Sequence, residues 1–150
     1  MIQKALFGAG CFWGVEEHFR TLNGVQNTEV GYSGGNTKNP TYENVCYQNT
    51  DHAEVLQVNF DDEAISYEAL VEEFWKCHDP TTMDKQGPDL GRQYRSVIYY
   101  FNDHQKIIAE NSKEKHQNAF NGQIVTEISE ADTFYKAEEY HQQYVLKSKS

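Results

Sequence analysis

A chain of 150 residues carrying 13 Lys and Arg against 23 Asp and Glu has a net charge of −10, the wrong sign to hold nucleic-acid phosphates or an anionic membrane surface. At 38% hydrophobic and 13% aromatic it has the composition of one globular domain over 1–150, and no apolar run approaches the roughly 20 residues that span a bilayer. Three cysteines, an odd number behind an N-terminus (MIQKALFGAG) without a long apolar segment, argue against a disulfide framework and for a reducing cytoplasm.

Residues 2–7 (IQKALF) predict a short buried strand that runs into the glycine turn GAGCFWG at 8–14. Beyond it, Val15, Phe19 and Leu22 are spaced for one face of a helix, with Gly24 as its stop. VQNTEVGY, 25–32, predicts a second strand, and SGGNTKNP, 33–40, is the densest turn signal in the chain. In AEVLQVNF, 53–60, Leu56, Val58 and Phe60 share one strand face by the two-residue period, and Glu54 falls on that same face. A carboxylate in phase with apolar residues carries more information than a solvated one. Ser66 caps a predicted helix over 66–77, in which Tyr67, Leu70, Val71, Phe74 and Trp75 recur at helical spacing, and Asp79-Pro80 ends it. TTMDKQGPDLGRQ, 81–93, is too long for a simple turn, and loops of that length are often functional. A strand at 95–101, a helix near 103–117, a strand at 124–128 and a tail at 136–147, either a short helix or an extended wrap, complete the chain. Short strands with polar stretches, alternating with helices, predict a two-layer α/β (α+β) sandwich with a mixed sheet rather than a doubly wound parallel one.

The glycine turn invites a phosphate reading, but a dinucleotide fingerprint needs G-x-G-x-x-G. Gly8 and Gly10 fit it, whereas its third glycine position is Trp13 and the next glycine, Gly14, comes one residue late. If strand 2–7 turns at Gly8–Gly10 into a helix starting near Phe12, Cys11 lies at the helix N-terminus. There the unpaired N–H groups favour thiolate and lower a thiol pKa of about 8.5. The glycines would also let a substrate approach the sulfur closely. The competing reading makes Cys11 a small core residue among aromatic neighbours, and position alone leaves both open. Zinc lacks local support, because no Cys-x-x-Cys occurs and the six histidines include no i, i+4 pair on one helix. His18 and His116 are expected on helix surfaces and His52 in a loop or at a strand edge.

GCFWGVE at 10–16 resembles the signature of the peptide methionine sulfoxide reductase A family, enzymes specific for the S epimer of methionine sulfoxide. NPTYENVC at 39–46, HAEVLQV at 52–58, FWKCHDPTT at 74–82, GPDLGRQYRS at 87–96 and AEEYHQQY at 137–144 are similar to further segments of that family in the same order. The likeness therefore runs through essentially the whole chain. It implies a two-layer α/β sandwich with a ferredoxin-like core. It also implies Cys11 as the nucleophile, Phe12 and Trp13 as the apolar pocket for the substrate's methyl group, and Glu54 as the acid. Tyr42, Asp89 and Tyr94 match the polar groups around the sulfoxide oxygen, so they serve catalysis and substrate binding together. No metal and no other cofactor are implied. The implied partners are methionine-S-sulfoxide, free or in oxidised proteins, and a thiol reductant, with the enzyme acting as a monomer.

On these assignments, desolvation raises the pKa of Glu54 so that it holds a proton near neutral pH, as an acid for the sulfoxide oxygen must. Attack by Cys11 on the sulfoxide sulfur yields methionine and a sulfenic acid on Cys11. Many family members carry resolving cysteines in a glycine-rich C-terminal tail, whereas this sequence has none beyond Cys77. Cys46 and Cys77 are the two candidates for a resolving role within the chain, and each reads more readily as a packed thiol. The expected route back is therefore attack on the sulfenic acid by glutathione, glutaredoxin or thioredoxin. Two other classes compete: a thiol hydrolase with a histidine base, and a redox sensor or sulfoxide-binding module in which Cys11 oxidises without turnover.

Overall fold

A computed structural model of the chain describes residues 1–149. In chain order the elements are β1 (Ile2–Ala9), α1 (Phe12–Arg20), β2 (Val25–Ser33), α2 (Tyr42–Tyr47), β3 (Ala53–Asp61), α3 (Tyr67–Lys76), β4 (Lys85–Gln86) and β5 (Asp89–Leu90). A 3-10 turn over Arg92–Tyr94 leads into β6 (Ser96–Tyr100), α4 (Asp103–Gln117), β7 (Glu127–Glu130), β8 (Tyr135–Lys136) and α5 (Tyr144–Ser148).

Six strands form one sheet in the order β7-β6-β1-β3-β2-β8. All neighbours are antiparallel except β6 and β7, which makes the sheet mixed. Within it, β1-α1-β2-β3-α3-β6 is the split β-α-β arrangement of ferredoxin-like folds, with strand order β6-β1-β3-β2. The two-layer sandwich expected from the alternation of elements is the observed architecture. Helices α1, α3 and α4 cover one face, where Phe7, Phe19, Leu70 and Phe74 are fully buried. Phe7 lies at the centre of that packing, with its ring 5.4 Å from Phe19 and 5.3 Å from Phe74. The opposite face buries Leu6, Ala53, Val55, Val97 and Tyr99 beneath Ala131 and Phe134 of the β7–β8 connection. Both faces of β1 and β3 are thus covered, which explains their near-continuous apolar runs.

Several elements differ from the sequence expectation. Helix α2 arises inside a stretch that carried only a motif, and β4 with β5 forms a small hairpin inside the 81–93 loop. The strand expected at 124–128 pairs at 127–130 instead, because Val125 donates its N–H to the Pro80 carbonyl at 2.8 Å and is drawn away from β6. The tail resolves into the short β8, a 3-10 turn at Glu139–His141 and α5. His18 and His116, expected on the surface, are half-buried against α3, 3.0 Å from Glu73 and 2.8 Å from Glu72. His52 is buried: its Nδ1 accepts the Gly35 N–H at 2.9 Å and its Nε2 lies 2.6 Å from the Thr37 carbonyl. It pins the glycine-rich 33–40 turn to the start of β3.

Candidate active site

The 9-residue helix α1 opens with Cys11 as its N-cap, where the backbone of β1 turns out of the sheet. Two glycines permit this turn, and packing requires both. A Cβ on Gly8 would lie 2.7 Å from Val97 Cγ1 and 3.3 Å from the Arg95 carbonyl, so only a bare backbone fits between β1 and β6. Gly10 has φ +97°, and a Cβ there would meet Gln86 Cγ at 2.8 Å, because the β4–β5 hairpin rests on this residue. The glycines thus serve the protein's own packing around the cysteine.

Cys11 is half-buried, and its thiol is pushed up to about 11. Burial is the main cause, and the charges of Glu54 and Asp89 add to it. The N–H groups of Trp13 and Gly14 act in the opposite direction, as a helix end should, but they are outweighed. The expected lowering of this pKa is therefore corrected: burial keeps Cys11 a thiol near neutral pH.

Glu54, the second residue of β3, faces Tyr32 across the strand pair and is 1% exposed. Its Oε1 accepts the Phe12 N–H at 3.2 Å, tying the acid to the residue beside Cys11. Its Oε2 is buried with no hydrogen-bond partner among the described residues. Burial raises this carboxyl to about 8, the Phe12 N–H lowers it in part, and the Asp89 charge raises it further. Glu54 is thus a neutral acid with one free oxygen at physiological pH.

Tyr42 starts α2, and Tyr94 ends the 3-10 turn before β6. Burial pushes both phenols up, and each feels the charge of Glu54. Tyr42 also faces the Cys46 thiol one turn along its helix, and Tyr94 feels Cys46, Asp89 and Cys11. The fold therefore gathers Cys11, Glu54, Tyr42, Asp89 and Tyr94 around one point. Phe12 and Trp13 part company. Phe12 is 1% exposed, in the core between Tyr32 and His141, whereas half-buried Trp13 is the aromatic that presents surface. Cys77 caps the far end of α3, donating to the Phe74 carbonyl at 3.3 Å, and burial pushes its thiol up to about 12.

The sequence reading gave no role to the tail, yet the tail finishes this corner. Glu138 accepts the Tyr32 hydroxyl through Oε1 and the Tyr42 N–H through Oε2, each at 2.9 Å. Gln142 exchanges two 2.9 Å bonds with the backbone of Val30 on β2. His141 is fully buried and accepts the Trp13 indole N–H on Nδ1 at 2.9 Å. Tyr144 stacks on Trp13 with centroids 4.0 Å apart and planes within 14°. The signal for this was the cluster YHQQY, whose aromatic residues and histidine had no core of their own to enter. Among the described residues no group of three or more His, Cys, Asp or Glu is placed to hold a metal ion.

The sequence profile of the family described as "Peptide methionine sulfoxide reductase" matches residues 3–150. A peptide methionine sulfoxide reductase from Methanosarcina mazei is 57% identical over 148 residues, covering 97% of this chain and 70% of that protein. The reduced form of Mxr1 from Saccharomyces cerevisiae superposes with a TM-score of 0.94 at 36% identity, covering 99% of this chain and 87% of that one. Mxr1 in complex with Trx2 is similar at a TM-score of 0.69 and 27% identity, covering 95% and 84%.

Proposed function

The chain belongs to the peptide methionine sulfoxide reductase family and is an oxidoreductase acting on methionine sulfoxide, and we propose that it reduces the S epimer with Cys11 as nucleophile and Glu54 as general acid. The observation that carries this reading is the burial of Glu54 against the backbone of Phe12, next to Cys11. A carboxyl raised to about 8, with a free buried oxygen and one backbone bond to the residue after Cys11, is an acid aimed at the sulfur's surroundings.

The proton balance follows from both groups being protonated at the start. Glu54 gives its proton to the sulfoxide oxygen as the Cys11 sulfur forms a bond to the substrate sulfur, and the thiol proton replaces the one Glu54 lost. Transfer of the hydroxyl to Cys11 leaves methionine and a cysteine sulfenic acid, so the substrate sulfur is reduced by two electrons and the Cys11 sulfur is oxidised by two. Because the thiol proton passes to Glu54, the carboxyl is neutral again after the step and leaves no negative charge beside the sulfur. Tyr42 and Tyr94, whose phenols stay protonated, donate to the developing charge on oxygen. Trp13 gives the S-methyl group an apolar face, with which sulfur and methyl groups pack well.

A thiol reductant then returns Cys11 to the thiol, and the Trx2 complex of the relative Mxr1 supports a protein dithiol in that role. The hydrolase reading is disfavoured because His141, which packs against Phe12, Trp13 and Tyr42, commits Nδ1 to the Trp13 indole N–H. The odd cysteine count suits work in the cytoplasm.

The test is reaction with a methionine-S-sulfoxide peptide in the absence of reductant, followed by mass mapping of the thiols after dimedone trapping. One equivalent of methionine and a dimedone adduct on Cys11 are expected, with none from Cys11→Ser. Equal methionine release from Cys11→Ser, or equal reduction of the R epimer, defeats the reading.

A further inference from the structure

A flat stack fixes the tilt of an aromatic ring but lets it slide and turn within its own plane. Trp13 is stacked in this way by Tyr144. One directional contact prevents the sliding: the indole N–H donates to His141 Nδ1 at 2.9 Å. We propose that His141 is a positioning residue for the substrate pocket, its Nδ1 setting which edge of Trp13 faces the sulfur of Cys11. The proposal rests on the reading of Trp13 as the wall for the S-methyl group.

Three observations support it. His141 is itself immobilised: it is 0% exposed, with its backbone N–H on the Glu138 carbonyl at 2.9 Å. The rings of Phe12, Tyr42 and Tyr140 surround it at 5.2, 4.5 and 4.1 Å. An acceptor on Nδ1 requires the neutral ring with its proton on Nε2, and burial, which disfavours the cation, keeps it so. That Nε2 is buried with no partner among the described residues. An unsatisfied buried donor is a cost that a phenylalanine in the same aromatic cage would avoid. The imidazole is therefore explained by what Nδ1 does rather than by packing.

Two substitutions separate the directional bond from ring bulk. His141→Phe keeps a ring and removes the acceptor, whereas His141→Asn places Oδ1 near the position of Nδ1. The readout is the sulfoxide concentration at half-maximal rate for first-turnover methionine formation. For His141→Phe it should rise about 3- to 10-fold with the limiting rate held within about two-fold, the scale of one lost hydrogen bond. His141→Asn should stay within about two-fold of the parent. The indole N–H resonance of Trp13 should move upfield in His141→Phe and return in His141→Asn, and this reads the bond even if the site chemistry were misassigned. If His141→Phe fails to fold, benzothienylalanine in place of Trp13 removes the donor while His141 stays intact, and the same rise is expected. Unchanged half-saturation in His141→Phe overturns the proposal, as does a His141→Asn protein as weak as His141→Phe.

Discussion

A carboxyl group that is 1% exposed, with a single backbone N–H on one oxygen, binds a proton more tightly than the same group in an unfolded chain. For Glu54 the shift runs from 4.5 to about 8, so between those values the native state holds a proton that the unfolded state has released. Stability therefore falls as pH rises through that window, by on the order of 3 kcal/mol at pH 7 relative to a permanently neutral side chain. Glu54→Gln should melt at a higher temperature than the parent at pH 8, with the gap closing toward pH 4 in calorimetry. The same variant should lose about 10²- to 10⁴-fold in the rate of the first methionine formed, the usual span for a general acid. It should also lack the decline in rate that is expected of the parent as pH rises past 8. Stability gained and turnover lost at one position would show that the buried proton is held for chemistry. The sequence could reveal the placement of Glu54, because a two-residue period exposes a charge out of character with its face. It could not reveal the acidity of Cys11. A helix end is visible in GAGCFWG, but the burial that outweighs it, and the charges of Glu54 and Asp89 that add to it, arise only when the chain folds.

Local stability of α2 matters because this element carries Tyr42. It is six residues long, too short to persist by its own propensity. A complete capping box holds it: Thr41 Oγ1 accepts the Asn44 N–H, and Asn44 Oδ1 accepts the Thr41 N–H, both at 3.1 Å. Thr41→Ala should cost about 1 kcal/mol, a fall of roughly 2–4 °C in melting temperature, while Thr41→Ser should cost less. A lower first-turnover rate in Thr41→Ala with an unchanged Cys11 adduct would locate the loss at Tyr42. The longer elements were legible because each shows a whole stripe: α3 repeats five apolar residues at helical spacing behind a serine cap. Helix α2 and the two-residue strands β4 and β5 offer no stripe to read. Their positions depend on partners far along the chain, such as Glu138 for Tyr42 and Gly10 for Gln86.

At the scale of the molecule, the net charge of −10 would act on the reductant proposed to regenerate Cys11. An anionic small thiol such as glutathione approaches against that field, which salt screens within about 10 Å at 0.1 M. Its rate of reaction with the Cys11 sulfenic acid should rise about two-fold or more between low and physiological ionic strength. Neutral dithiothreitol should show no such dependence in the same stopped-flow measurement. Fold class was readable from the alternation of elements, but the closure of the site by the tail was not, because no local pattern announces a contact across 128 residues. That closure has a consequence for how the enzyme is born. A ribosome adding about 5–20 residues per second needs about 6–26 s to make the 128 positions separating Trp13 from His141. Throughout that interval the nascent chain carries Cys11, and for the later part of it Glu54, without the residue that anchors Trp13. Trp13 thus gains its directional contact only after residue 141 has been made.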